Sequence, residues 1–369
     1  MKKVLLILFI FLGSLILIIY GYLLKISPSE TATITDSNGK EIVNSIASLE
    51  KIELGGIDQW LLIRGKNIDK PILLILHGGP GSPELPMVRY FNEDLEDHFV
   101  VVNWDQRGAG KSYSADIPSH LLTIDHFVSD VHELTSHLKS RFNKEKIYLL
   151  GHSWGTVIGT LAAQKFPEDY YAYLGMGQVV NMEQGELISY QYTLNKAKFL
   201  YNEKAIHELQ NIGFPPYEGD KTFNNIMIQR NWLLKFGGSL YGETSYDKLI
   251  KTLLFCQEYS LTDKINYLIG SKKSVKILWP DLMKVDFFTQ VPRLDLPVYL
   301  FQGRDDFQVP SELAEKYLEE LEAPDKQLIW FEKSGHGPMF EENGKFLEIM
   351  VNKVLKETFE PSTVSAFNN

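Results

Sequence analysis

The sequence predicts an α/β fold with a mostly parallel, doubly wound sheet, one inserted helical domain and an N-terminal transmembrane helix. Three observations support this prediction. Short apolar strand patterns alternate with helical patterns on both sides of a long interruption at residues 181–291, as in βαβ units. Runs such as residues 71–76 are apolar without alternation, which is typical of strands buried on both faces. With 369 residues and 44% hydrophobic content, the chain can bury a large core.

The chain begins with an uncharged run at residues 4–24 that has lysines on both sides. A helix needs about 20 apolar residues to cross a bilayer, so we expect residues 1–25 to anchor the protein in the cell membrane. Because Lys2-Lys3 precede the run, the positive-inside rule predicts a cytoplasmic N-terminus and an extracytoplasmic domain. The alternative is a cleaved signal peptide and secretion, since Ser27-Pro28-Ser29 matches a cleavage site in form.

Residues 26–180 are expected to form the first part of the core domain. Its first stretch, residues 26–44, is polar and predicts a linker, and Gly55-Gly56 predicts the turn of an antiparallel hairpin. Thr123 is the expected N-cap of the first long helix of this domain. The predicted strands are residues 45–54, 57–64, 71–76, 99–104, 147–150 and 171–180, and the predicted helices are residues 124–141 and 156–166.

Residues 181–291 are helical in character, aromatic-rich and irregular, and predict a helical cap inserted between two parts of one sheet. Alternation returns after Pro292, so residues 292–360 are expected to complete the core, with residues 361–369 as a tail. Ser311 is the expected N-cap of its first helix. The predicted elements here are strands at residues 297–302 and 326–332 and helices at residues 311–321 and 341–359.

Charge and cysteine content exclude several classes of function. The formal net charge of −10 leaves no basic stripe to neutralise phosphates, which argues against nucleic acid as a partner. The single cysteine, Cys256, excludes an intrachain disulfide and is expected to be a packed core residue. Gly110-Lys111-Ser112 resembles the end of a phosphate-binding loop, but Asp105 stands where that loop requires glycine. We expect neither a metal nor an organic cofactor.

The most informative stretch is Gly151-His152-Ser153-Trp154-Gly155, which joins a predicted strand to a predicted helix. A sharp strand-to-helix turn forces its middle residue into strained backbone geometry and needs nearly side-chain-free neighbours, as the two glycines provide. The turn holds the Ser153 hydroxyl at a helix N-terminus, where backbone N–H groups favour developing negative charge. Ser153 is therefore the candidate nucleophile, and His152 is expected to support the turn.

A serine nucleophile needs a hydrogen-bonded base, commonly a histidine oriented by a carboxylate. Aspartates and a histidine follow later predicted strands, at Asp305, Asp306 and His336. Parallel strands bring such residues to one edge of the sheet. His336 is the candidate base, on a loop that its flanking glycines make flexible. The two aspartates are adjacent, and we expect one to face the histidine and the other to cap the following loop.

Backbone N–H groups that could stabilise an oxyanion come from two places. Gly78 and Gly79, in His77-Gly-Gly-Pro-Gly81, follow a predicted strand and have no Cβ to block a substrate. The Trp154 N–H lies at the start of the helix after Ser153. Together they can form an oxyanion hole, which is worth roughly 2.7–4 kcal/mol per donor.

Four motifs together resemble those of the prolyl iminopeptidase group of α/β-hydrolases. They are His77-Gly-Gly-Pro-Gly81, Asp105-Gln-Arg-Gly-Ala-Gly-Lys-Ser112, Gly151-His-Ser-Trp-Gly155 and Gly303-Arg-Asp-Asp306. The resemblance implies the α/β-hydrolase fold and a serine hydrolase that releases an N-terminal residue, often proline, from short peptides under a helical cap. It also implies that Asp306 is the catalytic acid and that Gly79 and Trp154 provide the oxyanion donors.

The cap departs from that family, whose cap glutamates hold the free amine of the substrate. Residues 231–238 have lysine and phenylalanine where a tryptophan pair and a glutamate would fall. The glutamates available in the cap are expected to be solvated, and they are Glu183, Glu186, Glu243 and Glu258. The substrate-binding residues are therefore left unassigned.

Three functions are therefore compared. The leading interpretation is a membrane-anchored serine hydrolase with aminopeptidase activity on short peptides. The alternative enzyme is a carboxylesterase or lipase-like hydrolase of small acyl esters, which an aromatic cap would suit equally. A non-catalytic receptor on the same fold is the third hypothesis, although all members of the triad are present. Ser153 argues against an epoxide hydrolase or dehalogenase, which would carry aspartate at that position. The sequence indicates no oligomeric state.

Overall fold

The computed structural model describes residues 2–359, so the predicted tail at residues 361–369 lies outside the described residues. These residues form an eight-stranded sheet in the order β1-β2-β4-β3-β5-β6-β7-β8. The strands are β1 (Ile46–Leu54), β2 (Ile57–Gly65), β3 (Ile72–Leu76), β4 (Val100–Asp105), β5 (Ile147–His152), β6 (Tyr170–Met176), β7 (Val298–Gly303) and β8 (Lys326–Phe331).

The sheet is mostly parallel. Strands β3 to β8 run parallel to one another, and β1 and β2 form an antiparallel hairpin whose turn has φ +54° at Gly55 and +72° at Gly56. Strand β2 joins the sheet antiparallel to β4. The predicted doubly wound sheet and its N-terminal hairpin are confirmed.

Successive residues of the central strands belong to two separate cores. Leu74 and Val102 lie in one apolar cluster, while their neighbours Leu73 and Val101 lie in the other. Because successive side chains of a strand point to opposite faces, both faces of this sheet are buried. This explains the uninterrupted apolar runs in the sequence.

Helices cover both faces and the carboxyl edge of the sheet. Thr123 accepts a hydrogen bond from the His126 N–H and caps the second of the core helices, as the sequence predicts. The core and N-terminal helices are α1 (Lys2–Lys25), α2 (Leu85–Phe91), α3 (Ile124–Phe142) and α4 (Trp154–Lys165). Between β6 and β7 come α5 (Met182–Phe199), α6 (Glu203–Ile212), α7 (Thr222–Lys235), α8 (Asp247–Phe255), α9 (Leu261–Leu282) and α10 (Phe287–Gln290). The last helices are α11 (Ser311–Glu320), α12 (Pro338–Glu341), α13 (Asn343–Ile349) and α14 (Lys356–Thr358).

Three sequence predictions about element boundaries are wrong. Strand β6 ends at Met176 rather than at residue 180, because Gly177 turns the chain with φ +54°. Ser311 does not cap α11; it is the first helical residue, and its hydroxyl donates to the Gly303 carbonyl. The predicted helix at residues 341–359 is divided into shorter segments, with a π-helical stretch at Met350–Leu355 between α13 and α14.

The segment Leu8–Lys25 of α1 is long and apolar enough to cross a membrane, with a mean hydropathy of 2.1 and none of its residues buried. No other helix within residues 2–359 meets that description. A signal sequence near an N-terminus can meet the same criteria of length and composition. The linker that follows packs on the domain, since the Glu30 N–H donates to the Gln257 carbonyl at 3.2 Å.

Candidate active site

Ser153 lies at the apex of the turn between β5 and α4, with φ +54° and ψ −118°. For a residue with a Cβ this is a strained region of backbone space. The Ser153 N–H donates to the Met176 carbonyl at 2.9 Å, which fixes the turn against β6. At Gly155, a Cβ would collide with the carbonyl of Leu76, so only glycine allows α4 to approach β3 this closely.

Asp306 lies against His336 in the loop that follows β7. Its Oδ2 is 2.9 Å from His336 Nδ1, and its Oδ1 accepts the N–H groups of Gln308 and Val309, each at 2.9 Å. Asp306 thus faces the histidine and also caps its own loop. The expectation that the neighbouring Asp305 would do the capping is wrong, because one carboxylate has acceptors enough for both tasks.

The loop that carries His336 is fixed on both sides by hydrogen bonds. Glu341 Oε1 accepts the N–H groups of Gly335 and Gly337 at 3.2 and 2.8 Å. The His336 N–H donates to the carbonyl of Ser239, a residue between α7 and α8, at 2.7 Å. This loop is not the flexible segment that its glycines suggest. His336 Nε2 is buried and has no hydrogen-bond partner among the described residues.

His152 is held between Glu84 and the His336 loop. Its Nδ1 is 2.5 Å from Glu84 Oε1, and its Nε2 is 2.7 Å from the His336 carbonyl oxygen. The carbonyl oxygen and an ionised Glu84 are both acceptors, which favours a ring with protons on both nitrogens. Burial alone would lower the pKa of His152, but the Glu84 carboxylate and the His336 carbonyl raise that pKa above 6.5. His152 therefore supports both the turn and the position of His336.

Glu84 is a site residue that the sequence reasoning missed. A Cβ built on Gly78 would lie 3.0 Å from Glu84 Oε1 and 3.3 Å from Ser153 Cβ, which places this carboxylate beside the turn. Its Oε2 is buried without a partner among the described residues. The available signal was a carboxylate three residues after Gly81, immediately before α2.

The glycine loop after β3 is linked to the Ser153 turn through His77 and Gln106. Burial lowers the pKa of His77 to about 4, so its ring is neutral. The ring accepts the Gln106 N–H at Nε2 (3.2 Å) and donates from Nδ1 to the Gly78 carbonyl (2.7 Å). Gln106 Oε1 accepts the Trp154 indole N–H at 2.9 Å. These bonds fix the loop of Gly79 relative to Trp154.

Gly177 brings the turn and the Asp306–His336 pair together. A Cβ built on Gly177 would lie 2.9 Å from His336 Cε1 and 3.4 Å from Asp306 Oδ2. The preceding residue, Met176, accepts the N–H of Ser153. Ser153, His336 and Asp306 therefore surround the end of β6, and Ser153 and His336 are nine-tenths buried or more.

Comparison with known proteins gives the family. The family model described as "alpha/beta hydrolase fold" matches residues 71–343. The chain belongs to the α/β-hydrolase fold family. It is 35% identical to the "Probable aminopeptidase YbaC" of Bacillus subtilis (strain 168), over 82% of this chain and 94% of the relative. It is 24% identical to the proline iminopeptidase of Lactobacillus crispatus, over 81% of this chain and 95% of that protein.

Solved structures agree on the fold of this α/β-hydrolase. The crystal structure of the proline iminopeptidase of Mycobacterium smegmatis superposes with a TM-score of 0.61 at 15% sequence identity. The superposition covers 85% of this chain and all of that chain. At this identity the match shows the shared fold, and the resemblance to prolyl iminopeptidases depends on the sequence relatives.

The motif at residues 105–112 of this α/β-hydrolase has a structural role, apart from Gln106. Burial raises the pKa of Asp105 to about 7, although the Tyr259 hydroxyl (2.6 Å) and the Lys111 N–H (2.8 Å) donate to its Oδ2. Arg107 forms a two-point ion pair with Asp130, and both side chains are fully buried. The motif connects β4 to α3 and, through Tyr259, to the helices between β6 and β7.

Lys111 forms hydrogen bonds within the protein, unlike the lysine of a phosphate-binding loop. Its ammonium group donates to Asp263 Oδ2 at 2.9 Å and to Ser29 Oγ at 2.7 Å. Within residues 2–359, no group of three or more His, Cys, Asp or Glu side chains is arranged to hold a metal ion.

Two of the four cap glutamates are not solvated, contrary to the sequence prediction. Glu186 is buried and forms an ion pair with Arg230, and Glu258 is buried and accepts from Arg89. Glu183 and Glu243 are exposed. Cys256 is buried in a small apolar cluster, as predicted.

Proposed function

We propose that this protein is a serine hydrolase in which Ser153, His336 and Asp306 form the catalytic triad. The observation that carries the proposal is the buried His336 ring, oriented by Asp306 at 2.9 Å and left with an unpaired Nε2. A histidine with one nitrogen bound to a carboxylate and the other free is the general base that a serine nucleophile needs.

In the proposed mechanism, the Ser153 hydroxyl attacks the substrate carbonyl carbon while His336 Nε2 accepts its proton. Asp306 accepts the Nδ1–H of His336 and stabilises the imidazolium. The backbone N–H groups of Gly79 and Trp154 donate to the oxyanion of the tetrahedral intermediate, for roughly 2.7–4 kcal/mol per donor. His336 then gives its proton to the leaving group, and water hydrolyses the acyl-enzyme by the reverse proton transfers.

The leaving group that we propose is an amine, which makes the enzyme an aminopeptidase acting on short peptides. Support comes from the relatives, since a protein named as a probable aminopeptidase matches 82% of this chain at 35% identity. A proline iminopeptidase also matches over 81% of the chain. The chemistry of the triad serves amides and esters equally, so activity on small acyl esters is the competing outcome of the test.

We also propose that α1 remains attached and holds the enzyme in a membrane as a single-pass anchor. The uncharged run of residues 4–24 exceeds the 7–15 residues of a signal-peptide apolar region. Its unburied side chains at Leu8–Lys25 have no role in the core.

The test compares the purified full chain with its Ser153→Ala variant on proline, alanine and leucine p-nitroanilides and on short-chain p-nitrophenyl esters. We expect anilide hydrolysis that requires a free N-terminus and falls by a factor on the order of 10⁶ in the variant. The thermal unfolding midpoint of the variant should stay near that of the parent, because the hydroxyl lies at a turn apex.

Three other outcomes would change this proposal. Hydrolysis of esters without anilides would keep the triad and reject the aminopeptidase. Undiminished anilide hydrolysis by Ser153→Ala would reject the mechanism. Absence of hydrolysis, with no labelling of Ser153 by an active-site phosphonate, would favour a non-catalytic binding protein.

A further inference from the structure

Helices α8 and α9 expose a group of large apolar side chains. On α9, Ile265, Leu268 and Ile269 are 52%, 67% and 46% exposed, and their spacing puts them on one face of the helix. At the end of α8, Leu254 and Phe255 are 44% and 57% exposed. We call these five residues the α8–α9 apolar surface. Scattered single apolar residues are ordinary on a protein surface, but a grouped set indicates contact with another apolar phase.

The chain that leaves α1 is hydrogen-bonded to the base of this surface. Lys264 Nζ donates to the Ile26 carbonyl at 3.2 Å, to Ser27 Oγ at 2.7 Å and to the Leu254 carbonyl at 2.8 Å. Lys264 immediately precedes Ile265 of the apolar surface. The first two residues after α1, the end of α8 and the first turn of α9 are therefore held together by one side chain.

This connection determines where the surface lies relative to a membrane. If Leu8–Lys25 spans the bilayer, then Ile26 is at the edge of the membrane. Tyr20 and Tyr22, about half exposed near the end of α1, are the residue type enriched at that edge. Because Lys264 contacts Ile26 directly, the apolar surface cannot be far from the lipid headgroups.

We propose that the α8–α9 apolar surface rests in the interfacial region of the same bilayer that holds α1. The proposal rests on the membrane anchoring of the proposed function and adds a second contact to it. We choose a bilayer as the occupant because the connection from α1 to this surface is short. Transfer of apolar side chains from water to the interfacial region of a bilayer is also favourable. The exposed Lys248, Lys251 and Lys272 on the same helices can pair with anionic headgroups.

The surface connects the membrane to the active site through α9. On another side of this helix, Ser271 Oγ lies 3.0 Å from Ser82 Oγ, and a Cβ on Gly81 would lie 2.7 Å from Ser274 Oγ. Ser82 directly follows the glycine loop that carries Gly79. One helix diameter, about 10 Å, then separates that loop from the bilayer surface.

The experiment places a single fluorescent reporter on the surface of the full chain. A Leu268→Cys variant is labelled with the environment-sensitive dye NBD and reconstituted in vesicles of equal parts phosphatidylcholine and phosphatidylglycerol. The matched control is Lys165→Cys, an exposed position at the far end of α4, on the opposite edge of the sheet. Because Cys256 is buried, the unsubstituted chain measures background labelling.

We expect the emission at residue 268 to shift to shorter wavelength and to be quenched by doxyl-labelled lipids, with neither change at residue 165. Equal behaviour of the two positions in a chain that floats with vesicles would overturn the surface and keep the anchor. A blue shift without lipid quenching would mean that a protein covers the surface, which also overturns the proposal. A chain that does not float with vesicles rejects both anchor and surface, while anilide hydrolysis on the same sample reports separately on the hydrolase.

Discussion

At the scale of single residues, Ser153 combines a strained backbone with a buried, polar setting. Its φ of +54° costs on the order of 1–3 kcal/mol for a non-glycine residue and persists only where neighbours enforce it. The Met176 carbonyl and the close packing of Gly155 against Leu76 provide that enforcement. Strain of this kind at a serine beside a buried histidine is the residue-level support for a nucleophile.

The two adjacent aspartates should differ in their effect on catalysis. Asp306→Asn should lower kcat for anilide hydrolysis by a factor on the order of 10⁴, because an amide no longer selects the tautomer of His336. Asp305→Asn is the matched control and should retain most of the activity, since the carboxylate that faces His336 belongs to Asp306. A larger loss in the Asp305 variant would reverse the assignment.

At the scale of elements, the loops after β3, β5, β7 and β8 converge at the end of β6. The loop after β4 stabilises this arrangement through hydrogen bonds. Asp105 ends β4 and binds the hydroxyl of Tyr259, which lies between α8 and α9. Its Oδ1 is buried without a partner among the described residues. Because burial raises the pKa of Asp105 to about 7, we expect the contact between β4 and Tyr259 to depend on pH.

A second prediction follows from the sign of this shift. Between the ordinary pKa of 3.8 and about 7, the folded protein binds a proton that the unfolded chain has released. This group therefore lowers the free energy of unfolding as pH rises through that window, by up to about 4 kcal/mol at about 1.4 kcal/mol per pKa unit. Asp105→Asn has no proton to lose and can still accept both hydrogen bonds at its oxygen. Relative to the parent, it should become more stable as pH rises.

Denaturant unfolding of parent and variant at about pH 5 and about pH 8 measures this difference. Asp116→Asn, on the exposed loop before α3, controls for the loss of one carboxylate. A stability difference between parent and Asp105→Asn that stays constant with pH would contradict the prediction.

At the scale of the whole molecule, the α/β-hydrolase domain and α1 are organised differently. Both faces of the sheet are buried in apolar clusters, while the apolar segment Leu8–Lys25 has no buried residue. Exposure of a helix of this composition to water is unfavourable, and insertion into a bilayer removes that cost. The domain is thus stabilised by its own apolar core, whereas α1 depends on the bilayer that we propose for it.

The third prediction is that the chain is not cleaved after α1. Full-length protein expressed in bacteria with a C-terminal tag should have the intact mass of an uncleaved chain and remain in the membrane pellet after alkaline carbonate extraction. A Leu15→Arg variant puts a charge near the middle of the helix, at a cost of about 2.5–3.5 kcal/mol, and should be extracted more readily. A mass that corresponds to a chain beginning near Ser29 would instead identify a signal peptide.

The sequence alone determined the features that depend on neighbours along the chain. Uninterrupted apolar runs predicted the parallel strands, because only strands covered on both faces tolerate them. The glycines on both sides of His152-Ser153-Trp154 predicted the strained turn, since close approach of backbone to backbone leaves no room for a Cβ.

Only the tertiary structure decided the contacts between distant parts of the chain. Glu84 binds His152 across 68 positions, and Glu186 and Glu258 are buried against arginines although their local sequence suggests solvated helix residues. It was also packing that selected the carboxylate of Asp306, 30 positions before His336. Such pairs depend on how helices and loops pack over the sheet edge, because long-range packing and desolvation leave no local pattern in the sequence.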